Sequence, residues 1–304
     1  MGRGSYTASD WNKLRNSRKL YNHQPVNDIF NQQQGKTIYN SKNIQCRESC
    51  DPDIFMQATP IIIGFDVTAS MGYLAKELAT SGLNNIITAL LTHRQITAPQ
   101  IMCAAIGDCK SDNYPLQLTQ FESDIKIIAQ LLDLHLENGG GGNNGESYNL
   151  LWYFAAHHTE HDHYKKRQKK GYLFTIGNDR CHSGLLAQEI SSNFKAFSAY
   201  TISNEALINK ASEKYNIFHI HIENGTASDD DIFADWQKLL PGNCTSINIK
   251  NIDCLAELIT TIISISEGLT PGNALQLINQ EKAERLARSV AFIKPAAKSN
   301  VISF

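Results

Sequence analysis

Apolar runs and stretches of helical periodicity alternate along the chain from residue 59 onward. The apolar runs are short and rich in β-branched residues, as in Ile61-Ile-Ile-Gly-Phe65, which is typical of buried strands. We predict strands over residues 60–66, 100–107, 116–119, 172–177, 217–222 and 244–249. A short turn joins the second and third of these, so we expect them to form an antiparallel hairpin.

Residues between the strands carry apolar side chains at helical spacing, as Leu74, Leu78, Leu83, Ile87 and Leu91 do. We predict helices over residues 71–91, 121–137, 146–157, 204–215, 229–239 and 253–265, and one more over 274–290. Alternation of this kind indicates a parallel sheet wrapped by helices. The sequence therefore predicts an α/β fold with a central, mostly parallel six-stranded sheet, one short antiparallel edge strand, and helices on both faces.

Residues 1–57 are polar and poor in periodicity. Ser9 and Asp10 are expected to cap a short helix that carries Trp11 and Leu14. A segment of this composition cannot bury a core of its own, so we expect an extension that lies over the main domain or is partly disordered. We divide the chain into this extension (1–57), a main domain (58–268), and a C-terminal helix and tail (269–304).

Composition bears on which partners the protein can bind and on where in the cell we expect it. The chain has 304 residues, 42% hydrophobic and 19% charged, with a formal net charge of −2. This balance gives no electrostatic basis for binding nucleic acid or an acidic membrane. We find no apolar signal-peptide core and no apolar run that could span a bilayer, so we expect a cytoplasmic protein.

The seven cysteines are an odd number. Cys103 and Cys244 lie in predicted strands, where they suit small core positions. Cys46 and Cys50 lack the second pair that a zinc knuckle needs. We therefore expect a reducing compartment and no disulfide framework.

Three oxygen-bearing residues, Asp66, Thr68 and Ser70, stand at alternate positions where the first strand ends and the first helix is about to begin. This spacing can direct one carboxylate and two hydroxyls at a single point. Mg²⁺ favours such oxygen ligands and keeps some coordination positions for water or a partner's oxygen. The alternative is a helix N-terminus at which Thr68 or Ser70 caps the backbone and no metal binds.

The run Asp-Val-Thr-Ala-Ser-Met beginning at Asp66 resembles the Asp-x-Ser/Thr-x-Ser metal-ion-dependent adhesion site of von Willebrand factor A (vWA) domains. The order of predicted elements over about residues 58–268 is similar to that family too. The Gly-Glu-Ser-Tyr and Phe-Thr-Ile-Gly segments look most like the vWA proteins of bacteria and their phages. The resemblance implies a Rossmann-like α/β domain that binds Mg²⁺ or Mn²⁺ rather than Ca²⁺. It also implies a protein partner whose Asp or Glu carboxylate completes the shell of the ion.

In the vWA family a second loop supplies a hydroxyl, usually from Thr. The corresponding residues here, 138–147, lack the usual Gly-Gly-Thr, and the candidate donors are Asn143, Asn144, Glu146 and Ser147. Four consecutive glycines would let the backbone approach a ligand closely. The alternative is a flexible turn between two helices, with Glu146 as a carboxylate in the first turn of the second.

A third loop supplies an Asp after the fourth strand in that family, and here the position falls on Asn178, with Asp179 next. An amide is neutral, so the site loses one formal charge unless Asp179 or Glu146 compensates, and we expect weaker metal binding. Asp108 ends the second strand and should lie on the same edge of the sheet. It either supports the ligands without touching the ion or hydrogen-bonds its own loop.

Histidines are dense in the run His-His-Thr-Glu-His-Asp-His at residues 157–163. These residues could hold zinc, but we favour a solvated connection on the edge opposite the main site. Cys181 and His182, close to Asp179, form a second pair of softer potential ligands.

The sequence contains no Gly-x-Ser-x-Gly elbow, Walker A sequence or dinucleotide fingerprint. We therefore expect a metal-dependent protein-binding module of adaptor or adhesion type in preference to an enzyme, with no nucleic-acid or membrane partner. Two alternatives stay open. One is a metal-assisted hydrolase of phosphate or acyl groups with Asp108 or Glu146 as base; the other is a scaffold whose metal site has decayed.

Overall fold

The computed structural model describes residues 6–21, 24–30, 34–68, 71–93, 95–136 and 145–295. Ser70 of the first motif and Asn143 and Asn144 of the second loop, all predicted metal ligands, lie outside the described residues.

The six predicted strands are present with small changes at their ends, and the described residues add four short strands that we did not predict. They are β1 (Arg47–Ser49), β2 (Thr59–Asp66), β3 (Pro99–Ile106), β4 (Leu116–Leu118), β5 (Thr159–His161), β6 (Gly171–Gly177), β7 (Gly184–Leu185), β8 (Ile202–Ser203), β9 (Tyr215–Glu223) and β10 (Cys244–Asn248). Six of them form the central sheet in the order β10-β9-β6-β2-β3-β4. β4 is antiparallel to β3, and the other neighbouring strands are parallel. The predicted mostly parallel sheet with one short antiparallel edge strand is confirmed.

Helices cover both faces of this sheet. They are α1 (Ala8–Arg18), α2 (Val26–Ile29), α3 (Gly72–Glu77), α4 (Leu83–Thr92), α5 (Lys126–Leu131), α6 (Tyr148–His157), α7 (Asp162–Arg167), α8 (Ala187–Phe194), α9 (Asn204–Ala211), α10 (Asp229–Leu239), α11 (Leu255–Ser266), α12 (Pro271–Leu275) and α13 (Gln280–Val290). A π-helical turn, Leu78–Gly82, joins α3 to α4, and a 3₁₀ turn, Ile249–Cys254, precedes α11.

The central strand β2 is buried along its whole length. Its side chains alternate between two hydrophobic clusters, with Ile61, Ile63 and Phe65 in one and Ile62 in the other. A Cβ at Gly64 would overlap Leu151 of α6, so the glycine lets α6 lie directly against β2.

The chain order reverses between β2 and β6, because β3 and β4 extend one side of the sheet and β9 and β10 the other. In doubly wound α/β sheets, ligands bind at the carboxyl ends of the strands at such a switch point. Asp66 and Asn178 lie at this point, one at the end of β2 and one just after β6.

The segment before β2 packs on the main sheet rather than standing apart. α1 begins with a capping box in which Thr7 is the N-cap residue and Asp10 its partner, so the cap lies two residues before the predicted Ser9. Apolar side chains of this segment join the first hydrophobic cluster: Trp11, Leu20, Ile29, Phe30 and Tyr39. β1 pairs in parallel with β5.

Several predicted helices are shorter or divided, among them the helix predicted over 71–91, which the π-helical turn divides into α3 and α4. The helix predicted over 121–137 is reduced to α5, because the backbone of Glu122 pairs with Ile101 at its start. The helix predicted over 204–215 ends at Ala211 as α9, and β9 begins at Tyr215. The helix predicted over 274–290 is divided into α12 and α13, since the Asn279 side chain caps a new helix.

The histidine-rich run differs from the predicted solvated connection. Residues 159–161 form β5 through their pairing with the distant β1, a contact that no local pattern reveals. His161 is buried, and its Nδ1 accepts the Tyr164 N–H to cap α7.

None of the described helices is long and apolar enough to cross a membrane.

Candidate metal centre

Asp66 lies at the buried carboxyl end of β2, where its side chain is 0% exposed. Its Oδ1 accepts the Thr68 N–H at 2.8 Å and the Thr68 hydroxyl at 2.7 Å. The Tyr148 hydroxyl donates to Oδ2 at 3.3 Å. Thr68 thus gives its proton to Asp66, which is the polarity that a hydroxyl ligand of a cation needs.

Glu146 reaches the same edge from the loop before α6, and its side chain is 3% exposed. Its N–H donates to the Arg180 carbonyl at 2.8 Å, and its carbonyl accepts the His182 N–H at 3.1 Å. These two bonds join the second loop to the third. Its Oε2 is buried and has no hydrogen-bond partner among the described residues.

Asp179 follows β6 by two residues and faces the same group of acids. Its Oδ1 accepts the Arg180 N–H at 2.7 Å, and its carbonyl accepts the Trp236 Nε1–H at 3.0 Å. Its negative charge contributes to raising the pKa values of Asp66 and Glu146. Asn178 lies beside it, half-buried.

Asp108 and Ser147 form a hydrogen-bonded group beside these acids. The Asp108 Oδ1 accepts from His182 Nε2 at 2.8 Å and from the Lys110 N–H at 3.0 Å. The Ser147 hydroxyl lies 3.4 Å from the same oxygen and accepts the Cys109 N–H at 2.9 Å. Of the two roles considered for Asp108, the loop hydrogen bond is therefore present.

Burial and mutual repulsion set the electrostatics of the site. Burial raises the pKa of Asp66 to about 6, against the opposing hydrogen bonds from Thr68 and Tyr148. Burial, reinforced by the charges of Asp66, Asp108 and Asp179, raises the pKa of Glu146 to about 9. Carboxyl groups that are buried and that repel one another are favoured in their neutral form unless a cation compensates their charge.

The donor set fits a hard divalent cation. It offers carboxylate and hydroxyl oxygens, and the buried Glu146 Oε2 is a donor with no other use among the described residues. No group of three or more His, Cys, Asp or Glu side chains in the described residues is arranged to hold a metal ion. A site here would depend on hydroxyls as well as on carboxylates.

Tyr148 borders the Asp66 edge although we predicted no role for it, and His182 makes a different contact from the soft-ligand pair with Cys181 that we predicted. Tyr148 contacts Asp66, and its ring meets Trp236 edge-on at 5.2 Å between ring centroids. His182 holds Asp108 rather than acting with Cys181. Tyr148 is the last residue of the Gly-Glu-Ser-Tyr segment, which we singled out for its family resemblance without predicting a role for the tyrosine.

Gly177→Ala is expected to displace Tyr148 from Asp66. The added methyl would overlap the Tyr148 hydroxyl and lie 3.0 Å from the Asp66 Cβ, so we expect a loss of about 1–3 kcal/mol in the free energy of unfolding. Chemical denaturation would measure it. Gly272→Ala is the matched control, because its Cβ would meet nothing within 4 Å. Equal effects of the two substitutions would contradict this close contact.

Comparison of the sequence with family models and with curated proteins found no match. Comparison of the fold with solved structures found several similar chains. The pilus adhesin SpaC from Lactobacillus rhamnosus GG, in its open conformation, is 9% identical with a TM-score of 0.43, and the match covers 67% of this chain and 30% of that one. The vWF domain of the type V pili tip protein Mfa5 from Porphyromonas gingivalis is 10% identical with a TM-score of 0.41, over 71% of this chain and 98% of that one.

A third similar structure is proximal thread matrix protein 1 from the mussel byssus, solved with a zinc-occupied MIDAS motif. It is 12% identical with a TM-score of 0.40, and the match covers 71% of this chain and 48% of that one. The chain thus spans less than a third of the pilus adhesin and about half of the byssus protein. These values are too low to transfer a function, and the assignment of the α/β fold rests on the strand order described above.

Proposed function

We propose that the Asp66 edge of the sheet binds a divalent cation, Mg²⁺ or Mn²⁺, and that the chain is a protein-binding module. Asp66, Thr68 and Ser70 would hold the ion. Donors from the other two loops would complete the site, from among Asn143, Asn144, Glu146, Ser147, Asn178 and Asp179. The bound ion would offer an open coordination position to an Asp or Glu carboxylate of the partner.

The observation that carries this proposal is the buried Oε2 of Glu146, which has no hydrogen-bond partner in the part of the chain that the structure describes, beside the buried Asp66. Two carboxyl groups without a compensating charge are costly in this environment, since attraction and repulsion both grow as water is excluded. A cation between them would remove the repulsion and give Glu146 Oε2 a partner.

Titration calorimetry of the full chain with Mg²⁺ and with Mn²⁺ tests the metal site. We expect saturable binding of one ion, abolished by excess EDTA. Carboxylate capture is tested on the Mn²⁺-loaded protein with an Asp-containing peptide and its Asn counterpart, read by Mn²⁺-dependent water relaxation. Absence of metal binding at millimolar concentrations would favour a scaffold whose site has decayed; equal response to both peptides would exclude carboxylate capture.

Asn178→Asp is expected to tighten Mg²⁺ binding by about tenfold, or about 1.4 kcal/mol. The substitution restores a charge where the neutral amide now stands, so the gain should be largest at low salt. It should also weaken capture of the Asp peptide, because the ion becomes less electrophilic. Calorimetry at two ionic strengths would measure the Mg²⁺ affinity and its salt dependence, and the relaxation assay with the Asp peptide would measure capture.

Asp179→Asn and Asp235→Asn are the companions to that experiment. Asp235 is paired with Arg180 at the surface, so its loss should leave metal affinity unchanged. If Asn178→Asp has no effect while Asp179→Asn destroys binding, the true ligand is Asp179 and the alignment of this loop is off by one residue.

A metal-assisted hydrolase is the second candidate, and the Asp108–His182 pair favours it. His182 Nε2 lies 2.8 Å from Asp108, and its Nδ1 lies 3.1 Å from the Lys110 Nζ. A carboxylate can orient a histidine as a general base, and here the base would act through Nδ1 once Lys110 moves away from it. Hydrolysis of p-nitrophenyl phosphate or acetate that requires Mg²⁺ and is lost in His182→Gln would support it; no turnover would leave the binding module as the function.

A further inference from the structure

Helix α11 carries a buried polar stripe on an otherwise apolar surface. Glu257, Thr260, Thr261 and Ser264 follow the spacing of one helix face. Thr261 is 1% exposed and Ser264 is 2% exposed, whereas the Glu257 side chain at one end of the stripe is 23% exposed. The rest of α11 packs its leucines and isoleucines into the core.

The stripe lines a cavity of about 620 Å³ between α11, the end of α4 and α12. Leu269, Leu277 and Ile278 form an apolar wall of this cavity, and the remaining lining is mostly polar: Thr92, His93, Gln95 and Asn279. A volume of this size, with an apolar wall and a few polar groups, is typical of small-molecule sites. The cavity does not include any residue of the candidate metal centre.

Two buried oxygens in this wall have no hydrogen-bond partner within the described residues, Thr261 Oγ1 and Glu257 Oε2. Their neighbours are satisfied: the Thr260 hydroxyl donates to the Ala256 carbonyl at 3.1 Å, and the Ser264 hydroxyl donates to the Thr260 carbonyl at 2.9 Å. Leaving a buried polar group unpaired destabilises a protein. Both oxygens belong to residues that line the cavity, where a hydrogen-bond donor on a bound molecule would satisfy them.

We propose that this cavity binds a small molecule with a protonated amine on a short apolar chain. Glu257 carries the one formal charge among the described lining residues, and its other oxygen accepts from Lys282 at 2.5 Å. An ammonium group would donate to Glu257 Oε2 and to Thr261 Oγ1 in charge-assisted bonds. Its alkyl chain would lie against the apolar wall.

Ligand-observed NMR on the full chain tests the proposal with three probes of one length: n-pentylammonium, 1-pentanol and pentanoate. We expect saturable binding in the order ammonium, alcohol, carboxylate. Nα-acetyl-lysine methylamide adds the same amine on a peptide; tighter binding than pentylammonium would assign the site to a lysine side chain. No saturable binding of either amine, or equal binding of pentanoate, would overturn the proposal.

Two variants locate the binding. Thr261→Val keeps the side-chain shape and removes the unpaired oxygen, so it should fold and should weaken pentylammonium binding at least fivefold. Glu257→Gln should weaken it further. Thr88→Val, on the exposed face of α4, is the matched control and should bind as the parent does. If Thr261→Val binds pentylammonium unchanged, the hydroxyl does not hold the amine and the proposal is wrong. The test does not involve Asp66, so it can fail without affecting the proposed metal site.

Discussion

Asp66→Asn is expected to remove Mg²⁺ and Mn²⁺ binding while making the metal-free protein more resistant to heat. The amide can still accept both Thr68 hydrogen bonds at Oδ1 and can donate to the Tyr148 oxygen, so the local structure should persist. It lacks the charge that attracts a cation, and we expect affinity to fall more than 100-fold, or more than about 2.7 kcal/mol. Calorimetry would measure the affinity.

In the absence of metal, the same substitution removes the cost of burying the ionised Asp66 carboxylate, whose pKa is raised to about 6 by burial. Thermal unfolding in EDTA at pH 8 should therefore show a higher midpoint than the parent. Asp230→Asn, an exposed carboxylate at the start of α10, is the control and should change neither quantity. Unchanged metal affinity in Asp66→Asn would falsify the assignment of the site. A lower midpoint in EDTA would show that Asp66 is a structural acceptor rather than an unsatisfied charge.

The sheet could be predicted because its signals are local. The run Ile61-Ile-Ile-Gly-Phe65 is apolar over a whole strand, and the alternation with helical periodicity indicates parallel strands without further information. Asp66 could be placed at the carboxyl edge for the same reason. The ends of helices were less predictable, because Ile101 pairs with Glu122 and shortens α5 from outside the helix.

Contacts between distant segments account for what the sequence did not reveal about the site. Tyr148 reaches Asp66 because Gly177 leaves room for its hydroxyl, and these residues belong to three different elements. His182 is tied to Asp108 across 74 positions of the chain. No periodicity encodes either pairing. Both depend on the order of strands around the switch point, and that order emerges only when the sheet is assembled.

The metal-free protein is expected to lose stability as pH rises from about 6.5 to 8.5. Glu146 has an ordinary pKa of 4.5 when the chain is unfolded and about 9 in the folded protein. In this window the folded state holds a proton that the unfolded state has released. The free energy of unfolding therefore decreases as the pH rises. Asp66, with a folded pKa of about 6, contributes the same effect mainly below this window.

One such proton changes the free energy of unfolding by at most about 1.4 kcal/mol per pH unit. For a chain of this size, that is a fall of about 2–4 °C in the unfolding midpoint per pH unit. Scanning calorimetry in EDTA at pH 6.5, 7.5 and 8.5 would measure it. Glu146→Gln should flatten the dependence, whereas Glu205→Gln, at the exposed start of α9, should leave it as in the parent.

Saturating Mg²⁺ should also flatten the dependence, because a cation stabilises the ionised form of Glu146 and removes its need for the proton. Mg²⁺ should therefore stabilise the protein more at pH 8.5 than at pH 6.5. A larger Mg²⁺ effect at high pH indicates that the ion binds the acids. An ion that binds elsewhere would raise the unfolding midpoint equally at every pH. A Mg²⁺ effect that is independent of pH, in a protein whose EDTA profile is already flat, would show that Glu146 is ionised and compensated without a metal.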